Sequence, residues 1–277
     1  AKSRGRNRYH AYEFGTEDCK KIMSDMGWAQ RIKAALREDR FHLVFQPIQC
    51  MGPKHCDFYE VLLRLPGPDS QLIAPGAFLP VAQRFGLLVD IDRWVIANAF
   101  KRLGDIRRAG REIVFSINLS GQMLDDPDLY EVVRAGMQTH QLPPGSVVFE
   151  ITEQTAVRQI DKASHLIARL SELGCQFALD DFGKGFSSFS HLKHLPVHYI
   201  KIDGSFVENM LTNPVDKAMV ESIIQIARVL GKKTIAEFVQ NQETIAMLKV
   251  AGVDFVQGYH VGRPAELPAS VKKRVSN

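Results

Sequence analysis

The sequence has no apolar run that approaches the roughly 20 residues needed to cross a bilayer, and no apolar region follows its basic amino terminus, residues 1–8. The pattern predicts neither a secretion signal nor a membrane span in this segment. Cysteines are few, and Cys19, Cys50, Cys56 and Cys175 form no CxxC pair and no common zinc spacing. We therefore expect reduced thiols and a cytoplasmic location, with any membrane anchor in segments outside this sequence.

A strong charge of one sign is missing too. The chain has 35 Lys and Arg against 31 Asp and Glu, a formal charge of +4, which is far from the basic footprint of a nucleic-acid groove. The nine histidines form no HExxH motif. Their nearest grouping, His191, His194 and His198, is interrupted by Pro196 and is more typical of a solvated surface. The GKG segment at residues 183–185 lacks the spacing of a P-loop.

What the sequence does contain is a regular alternation of strand-like and helix-like segments. The first two strands are predicted at residues 41–48 and 58–65, and strands and helices then alternate to Gln257. This alternation predicts a mostly parallel sheet covered by helices. The length of 277 residues is close to the roughly 250 typical of one β/α barrel.

Helices are predicted over residues 75–85, 90–109 and 215–230. In the second and third of these segments, apolar residues recur at steps of three and four. Asp90 or Asp92 is available to cap the second of these helices. We expect each helix to bury one face against the sheet.

Six apolar runs in the second two-thirds of the chain end in a residue that can bind a cation or an oxyanion. These residues are Asn118, Glu150, the pair Asp180 and Asp181, Lys201, Glu237 and Gln257, and an earlier run carries Glu60 and Arg64. An open doubly wound sheet concentrates its ligands at one switch point, whereas a closed barrel lets every strand reach the same mouth. Since all the later strands contribute, closure into a barrel is favoured.

The polar endings predict a particular chemistry. Carboxylate and amide oxygens suit Mg²⁺ or Mn²⁺, and clustered carboxylates would repel one another without cations among them. One of the adjacent residues Asp180 and Asp181 can bridge two ions while the other binds a single ion. Two such ions activate a water for phosphoryl transfer. Lys201 is able to hold that water or to offset negative charge on the phosphate. The alternative is a lysine at the protein surface.

At this point the motifs resemble a known family, the EAL domain family of cyclic di-GMP phosphodiesterases, from about Trp28 to Pro264. Each segment is short, but together they keep the family's order and spacing. The matching segments are FQPI at residues 45–48, EVLLR at 60–64, INLS at 117–120, FEITE at 149–153, DDFGKGFSS at 180–188, IKID at 200–203, AEFVQ at 236–240 and QGYHVGRP at 257–264.

The resemblance implies a role for each matching position. It implies metal ligands at Glu60, Asn118, Glu150 and Asp180, with Asp181 and Glu237 serving a second ion. It implies catalytic roles for Lys201 beside the attacking water, for Gln257, which helps to order that water, for Glu153, which holds the loop after Asp181, and for Asp181 and Glu237 themselves. It implies substrate contacts at Gln46, Arg64 and Pro264.

The resemblance also implies an architecture and a reaction. The expected fold is a TIM-like (β/α)8 barrel in which one early strand runs antiparallel to the rest. The expected reaction is hydrolysis of cyclic di-GMP to linear pGpG by two-metal activation of water, in a bacterial cytoplasm. The alternative is a catalytically weak or silent cyclic di-GMP receptor that signals through domain contacts. A homodimer is expected through helices near residues 187–195 and 215–230.

Three positions depart from the family's pattern. The signature Glu-Ala-Leu has Val61 in its centre, and the family's Ala-Glu-Gly-Val-Glu has Phe238 and Gln240 in place of glycine and glutamate. Lys184 stands where threonine usually follows Asp-Asp-Phe-Gly. We predict that Lys184 modulates the loop and weakens loading of the second ion, because like charges oppose each other. A solvated loop lysine is the alternative.

One further resemblance concerns the amino terminus. Residues 1–13 resemble the last strand and turn of a GGDEF domain, while a basic disordered leader is the alternative. The predicted organisation is a GGDEF-like remnant at 1–14, a linker helix at 15–27, the barrel at 28–268 and a basic tail at 269–277. We therefore expect a piece of a larger regulatory protein with linked GGDEF and sensor domains.

Overall fold

A computed structural model describes residues 16–53, 56–67, 71–184 and 192–267. The predicted GGDEF-like remnant and basic tail lie outside these residues, so both stay predictions. Nine strands belong to the described part of the chain. They are β1 His42–Cys50, β2 Asp57–Pro66, β3 Leu72–Ile73, β4 Ile113–Asn118, β5 Val147–Thr152, β6 Gln176–Phe182, β7 Tyr199–Ile202, β8 Lys233–Ala236 and β9 Phe255–Gln257.

Eight of these strands close into a barrel. Strands β2, β4, β5, β6, β7, β8 and β9 pair in parallel in that order. Strand β1 closes the circle by pairing antiparallel with both β2 and β9. The short β3 adds only an antiparallel edge to β2. The predicted barrel with one early antiparallel strand is therefore confirmed.

Helices cover the outside of the barrel. In the described residues they are α1 Thr16–Arg37, α2 Leu79–Arg84, α3 Leu88–Arg108, α4 Leu129–Thr139, α5 Glu153–Arg158, α6 Ile160–Glu172, α7 Gly204–Asn209, α8 Pro214–Val229 and α9 Gln242–Ala251. None of these helices is long and apolar enough to span a membrane. Helix α1 continues without a break across the predicted boundary between residues 27 and 28. The division of the chain into domains stays a prediction.

Two helix predictions need correction. The helix expected over residues 75–85 is a 3₁₀ turn, Pro75–Ala77, followed by α2. Pro80 in the first turn of α2 has no N–H, so it suits a helix start and not a helix interior. Neither Asp90 nor Asp92 caps α3, because that helix begins two residues before Asp90 and its N-cap, Leu87, has no side-chain hydrogen bond. Asp92 is buried and accepts a hydrogen bond from the backbone N–H of Ser120.

The interior of the barrel is filled by a compact apolar layer. Phe58, Tyr199 and Phe255 pack together with ring centroids 5.8 to 5.9 Å apart. The layer consists of Ile48, Phe58, Val148, Ala178, Tyr199, Ile235 and Phe255. Since alternate strand residues share a face, the residues two positions further along β2 and the later strands point into the same interior. That next layer contains the polar endings noted in the sequence.

Candidate active site

Lys201 lies at the centre of the polar layer. Its side chain is 1% exposed, and it ends in an ammonium surrounded by four carboxylates, from β2, β5 and β6 and from the residue that follows β8. Lys201 Nζ lies 2.8 Å from Glu150 Oε2, 2.8 Å from Glu237 Oε1, 3.2 Å from Asp180 Oδ1 and 3.7 Å from Glu60 Oε2. The structure therefore does not support a surface position for Lys201, and it brings these five predicted site residues together.

Neutral side chains orient the carboxylates. Asn118 Nδ2 donates to Glu60 Oε1 at 2.8 Å, and Gln257 Nε2 donates to Glu60 Oε2 at 2.6 Å. The Ser116 hydroxyl donates a hydrogen bond to Glu150 Oε1. Ser116 was absent from the predicted site. The sequence could have predicted it, because Ser116 lies two residues before Asn118 in the same strand and the two side chains therefore share a face.

The charges in this layer perturb one another strongly. Burial raises the pKa of Glu150 well above its usual value and raises that of Glu237 to about 7, although Lys201 opposes both shifts. Burial also disfavours the charged form of Lys201, but Asp180 and the surrounding glutamates outweigh this effect and raise its pKa well above the usual value. The ammonium is thus the charge that offsets the clustered carboxylates.

The donor set fits a hard divalent cation in chemical type. Glu60, Asn118, Glu150, Asp180, Asp181 and Glu237 supply only oxygen ligands of the kind that Mg²⁺ and Mn²⁺ prefer. Two buried oxygens, Asp180 Oδ1 and Gln257 Oε1, have no hydrogen-bond partner in the described part of the chain, although the first lies 3.2 Å from Lys201 Nζ. Within the described residues, no three His, Cys, Asp or Glu side chains are arranged to hold an ion, and Lys201 contacts the carboxylates instead.

Asp181 belongs to a neighbouring charged group at the end of β6. It has a left-handed backbone with a φ of 54°, and burial together with Asp180 raises its pKa. Lys184 Nζ lies 3.4 Å from Asp203 Oδ2 and 3.9 Å from Asp181 Oδ1. Glu153, buried at the start of α5, accepts a hydrogen bond from the Gly183 N–H at 3.2 Å. Glu153 therefore fastens the backbone that follows Asp181.

A cavity of about 920 Å³ opens above the charged layer. The three predicted substrate-contact residues, Gln46, Arg64 and Pro264, all line it. Gln46 is also tied to the layer below, because its Oε1 accepts a hydrogen bond from Gln257 Nε2 at 3.3 Å. A second cavity, of about 450 Å³, lies beside Trp94 and contains none of the predicted site residues.

Residues 29–264 match the sequence model of a single family, the EAL domain. The chain belongs to the EAL domain family. It is 40% identical over 268 residues to cyclic di-GMP phosphodiesterase PdeB of Shewanella oneidensis, covering 96% of this chain and 31% of that protein. It is 35% identical over 248 residues to cyclic di-GMP phosphodiesterase PdeF of Escherichia coli, covering 90% of this chain and 33% of that protein. The chain thus spans about a third of the length of these curated relatives.

Solved EAL domains have the same fold. The EAL domain of FimX from Pseudomonas aeruginosa, bound to c-di-GMP, superposes with a TM-score of 0.82 at 34% identity, covering 87% of this chain and 97% of that chain. The PaMucR phosphodiesterase in complex with c-di-GMP superposes with a TM-score of 0.81 at 32% identity, covering 87% and 98% of the two chains.

The positions that depart from the EAL pattern have distinct surroundings. Val61 is buried in β2 among the helix-facing core residues. Gln240 Nε2 donates a hydrogen bond to Glu208 Oε1 at 2.7 Å, a contact that a glutamate at this position would replace by repulsion. Phe238 lines the large cavity, has a φ of 55° and is 59% exposed.

Proposed function

We propose that this EAL domain is a metal-dependent phosphodiesterase that hydrolyses cyclic di-GMP to linear pGpG. The observation that carries the proposal is the buried ammonium of Lys201, in contact with four carboxylates at the floor of a large open cavity. Support also comes from relatives named cyclic di-GMP phosphodiesterases. In the reaction, a water oxygen bonds to phosphorus, one P–O3′ bond breaks, and the ring opens into a linear dinucleotide with a terminal phosphate.

The oxygen donors are assigned to two Mg²⁺ or Mn²⁺ ions. Glu60, Asn118, Glu150 and Asp180 would hold one ion, and Asp181 and Glu237 would serve the second. When bound, such ions activate a water and stabilise the attacking and leaving oxygens of phosphoryl transfer. Their charge also favours the ionised carboxylates, which burial alone disfavours.

The remaining residues act around the reacting phosphate. Lys201 supplies a buried positive charge that offsets charge developing on phosphate oxygens. Among the described residues, Gln257 Oε1 is buried without a hydrogen-bond partner, so it is available to accept a hydrogen bond from the attacking water and orient it. Glu153 acts indirectly, by holding the backbone after Asp181. Gln46, Arg64 and Pro264 orient the substrate from the cavity wall.

The test is to incubate the purified protein with cyclic di-GMP and Mg²⁺ or Mn²⁺ and to resolve the products by chromatography. We expect pGpG from the wild type and none from Glu60→Ala, because Glu60 accepts hydrogen bonds from both Asn118 and Gln257 at the site. Glu172→Ala, a change on the outer helix α6, is the matched control and should retain activity. Intact cyclic di-GMP combined with tight binding would instead establish the receptor alternative.

The assembly of the protein is also part of the proposal. We infer a homodimer through the segments at residues 187–195 and 215–230; residues 187–191 lie outside the described part of the chain. Linked GGDEF and sensor domains would regulate the activity in a longer protein. Sedimentation of a monomer at micromolar concentration, with cyclic di-GMP present, would contradict the dimer.

A further inference from the structure

Phe238 combines two unfavourable features at the rim of the large cavity. Its backbone is left-handed, with a φ of 55°, which is costly for a bulky residue. Phe238 is also 59% exposed, while the next residue, Val239, is fully buried. Burial of the ring therefore offsets little of the free-energy cost of the left-handed backbone in the free protein.

The surrounding backbone forces this conformation. On one side, the Glu237 N–H donates to Ile202 O at 3.3 Å; on the other, the Val239 N–H donates to Gln257 O at 3.0 Å. A strained residue persists only where its neighbours hold it in this way, and such residues cluster at functional sites. Phe238 is consequently presented to the cavity by a pinned loop.

The ring rests on a glycine. A Cβ on Gly204, the first residue of α7, would lie 2.2 Å from Phe238 Cδ2 and 2.4 Å from Cγ. The ring therefore packs against bare backbone on one side while much of it remains open to solvent. Tyr259, a second exposed aromatic residue at the cavity, already carries the guanidinium of Arg263 over its ring at 4.4 Å. Among the described residues, Phe238 has no aromatic or cation–π partner.

The position of Phe238 suggests what covers the ring. Its neighbour Glu237 contacts Lys201 at the charged floor, and the exposed ring and the Lys201 ammonium, which attracts phosphate, line the same cavity. A ligand that joins a planar base to a phosphodiester through a sugar can cover the ring with its base and place its phosphate near the ammonium. We propose that Phe238 is a specificity-determining residue that stacks on a purine base of the substrate, an inference that rests on the proposed function.

The experiment compares substitutions that separate stacking from apolar bulk and from backbone strain. Phe238→Tyr and Phe238→Trp keep an aromatic face, Phe238→Leu keeps bulk alone, and Phe238→Gly removes the ring and the strain. Cyclic di-GMP binding is measured by calorimetry in a chelating buffer, where metal-dependent hydrolysis does not occur. Loss of one base–aromatic stack weakens binding roughly five- to hundredfold, so we expect that loss for Leu and Gly but not for Tyr or Trp.

Two control variants change, at other places in the fold, the two features of Phe238: an exposed phenylalanine ring and a left-handed backbone. Phe85→Leu alters an exposed phenylalanine outside the cavity, and Gln141→Gly relieves a similar left-handed residue, with a φ of 53°, elsewhere in the fold. Neither control should change the dissociation constant. Phe238→Gly and Gln141→Gly should both raise the melting temperature, because glycine adopts the left-handed region without strain.

The base specificity gives a second measurement. Purines expose a larger face than pyrimidines, so the preference for cyclic di-GMP over cyclic di-UMP should shrink in Phe238→Leu. An unchanged dissociation constant and preference in Leu and Gly, in protein that still makes pGpG with Mg²⁺, would overturn the stacking inference alone. If the Leu and Gly variants bind cyclic di-GMP more weakly but the wild type makes no pGpG, only the hydrolytic function is overturned. A wild type that binds no cyclic di-GMP would overturn both.

Discussion

Two layers of side chains inside the barrel stand two residues apart on the same strands and differ completely in character. The lower layer contains Phe58, Val148, Ala178, Tyr199, Ile235 and Phe255. The upper layer contains Glu60, Glu150, Asp180, Lys201, Glu237 and Gln257. Burial of each large apolar side chain contributes roughly 1.5–3 kcal/mol to folding, whereas burial of a charge costs free energy unless it is paired. The lower layer therefore stabilises the barrel so that the upper layer can remain charged.

The largest expected effect on stability comes from the lower layer. Phe58→Ala should lower the free energy of unfolding by roughly 3–5 kcal/mol, because it leaves a cavity among packed rings. Chemical denaturation followed by fluorescence or circular dichroism measures the change. Phe85→Ala removes a phenylalanine that is 41% exposed and should cost much less. Equal losses from the two substitutions would contradict the stabilising role of the lower layer.

In the upper layer, the corresponding substitution is Lys201→Met. We expect turnover of cyclic di-GMP to fall roughly 10²- to 10³-fold, the usual effect of removing one group that stabilises a transition state. The carboxylates left behind should take up protons, because their common counter-charge is gone. Steady-state kinetics on protein of verified fold is the measurement, and Lys249→Met on the exposed surface of α9 is the control. Retention of wild-type turnover in Lys201→Met would exclude the proposed role of the ammonium.

A buried carboxylate outside the barrel, Asp92, lacks within the described part of the chain the counter-charge that the upper layer has. Asp92 forms no ion pair among the described residues, and burial raises its pKa to about 6. Because the pKa of Asp92 is higher in the folded protein than its usual value of 3.8, the contribution of Asp92 to stability is greatest below pH about 4 and is lost as the pH rises through about 6. Asp92→Asn should therefore gain up to about 3 kcal/mol relative to the wild type between pH 4 and 7.

Parallel denaturation curves at several pH values measure this difference. Asp105→Asn, which removes an exposed carboxylate from the same helix, is the matched control. A difference between Asp92→Asn and the wild type that stays constant from pH 4 to 7 would show that Asp92 does not titrate in this range.

The smallest expected effect concerns the rim of the charged layer. Lys184→Thr removes an ammonium 3.9 Å from Asp181 Oδ1 and should strengthen divalent-ion binding roughly two- to fivefold, a modest effect because Lys184 is 60% exposed. Calorimetric titration with Mn²⁺ tests this directly, alongside the Mg²⁺ dependence of turnover. Lys249→Thr provides the matched surface control. An unchanged ion affinity and Mg²⁺ requirement would leave Lys184 as a solvated loop lysine.

Much of this architecture follows from local pattern. Apolar strands that end in polar residues predicted the barrel and the convergence of Glu60, Glu150, Asp180, Lys201 and Glu237, because alternate residues of a strand share a face and parallel strands end at one mouth. The roles of these residues as ligands and catalysts stay predictions. The helix starts were less predictable, since α3 begins without a side-chain cap and Asp92 makes a tertiary contact with Ser120 instead.

Local sequence patterns were sufficient to predict the family, the order of strands and helices, and which residue types reach the mouth of the barrel. Only the tertiary structure placed Ser116 against Glu150, set Lys201 among four carboxylates and turned Phe238 outward over Gly204. Periodicity and motif spacing are properties of neighbouring residues, whereas ion pairs, burial and a pinned left-handed backbone depend on segments that meet only after the barrel has closed.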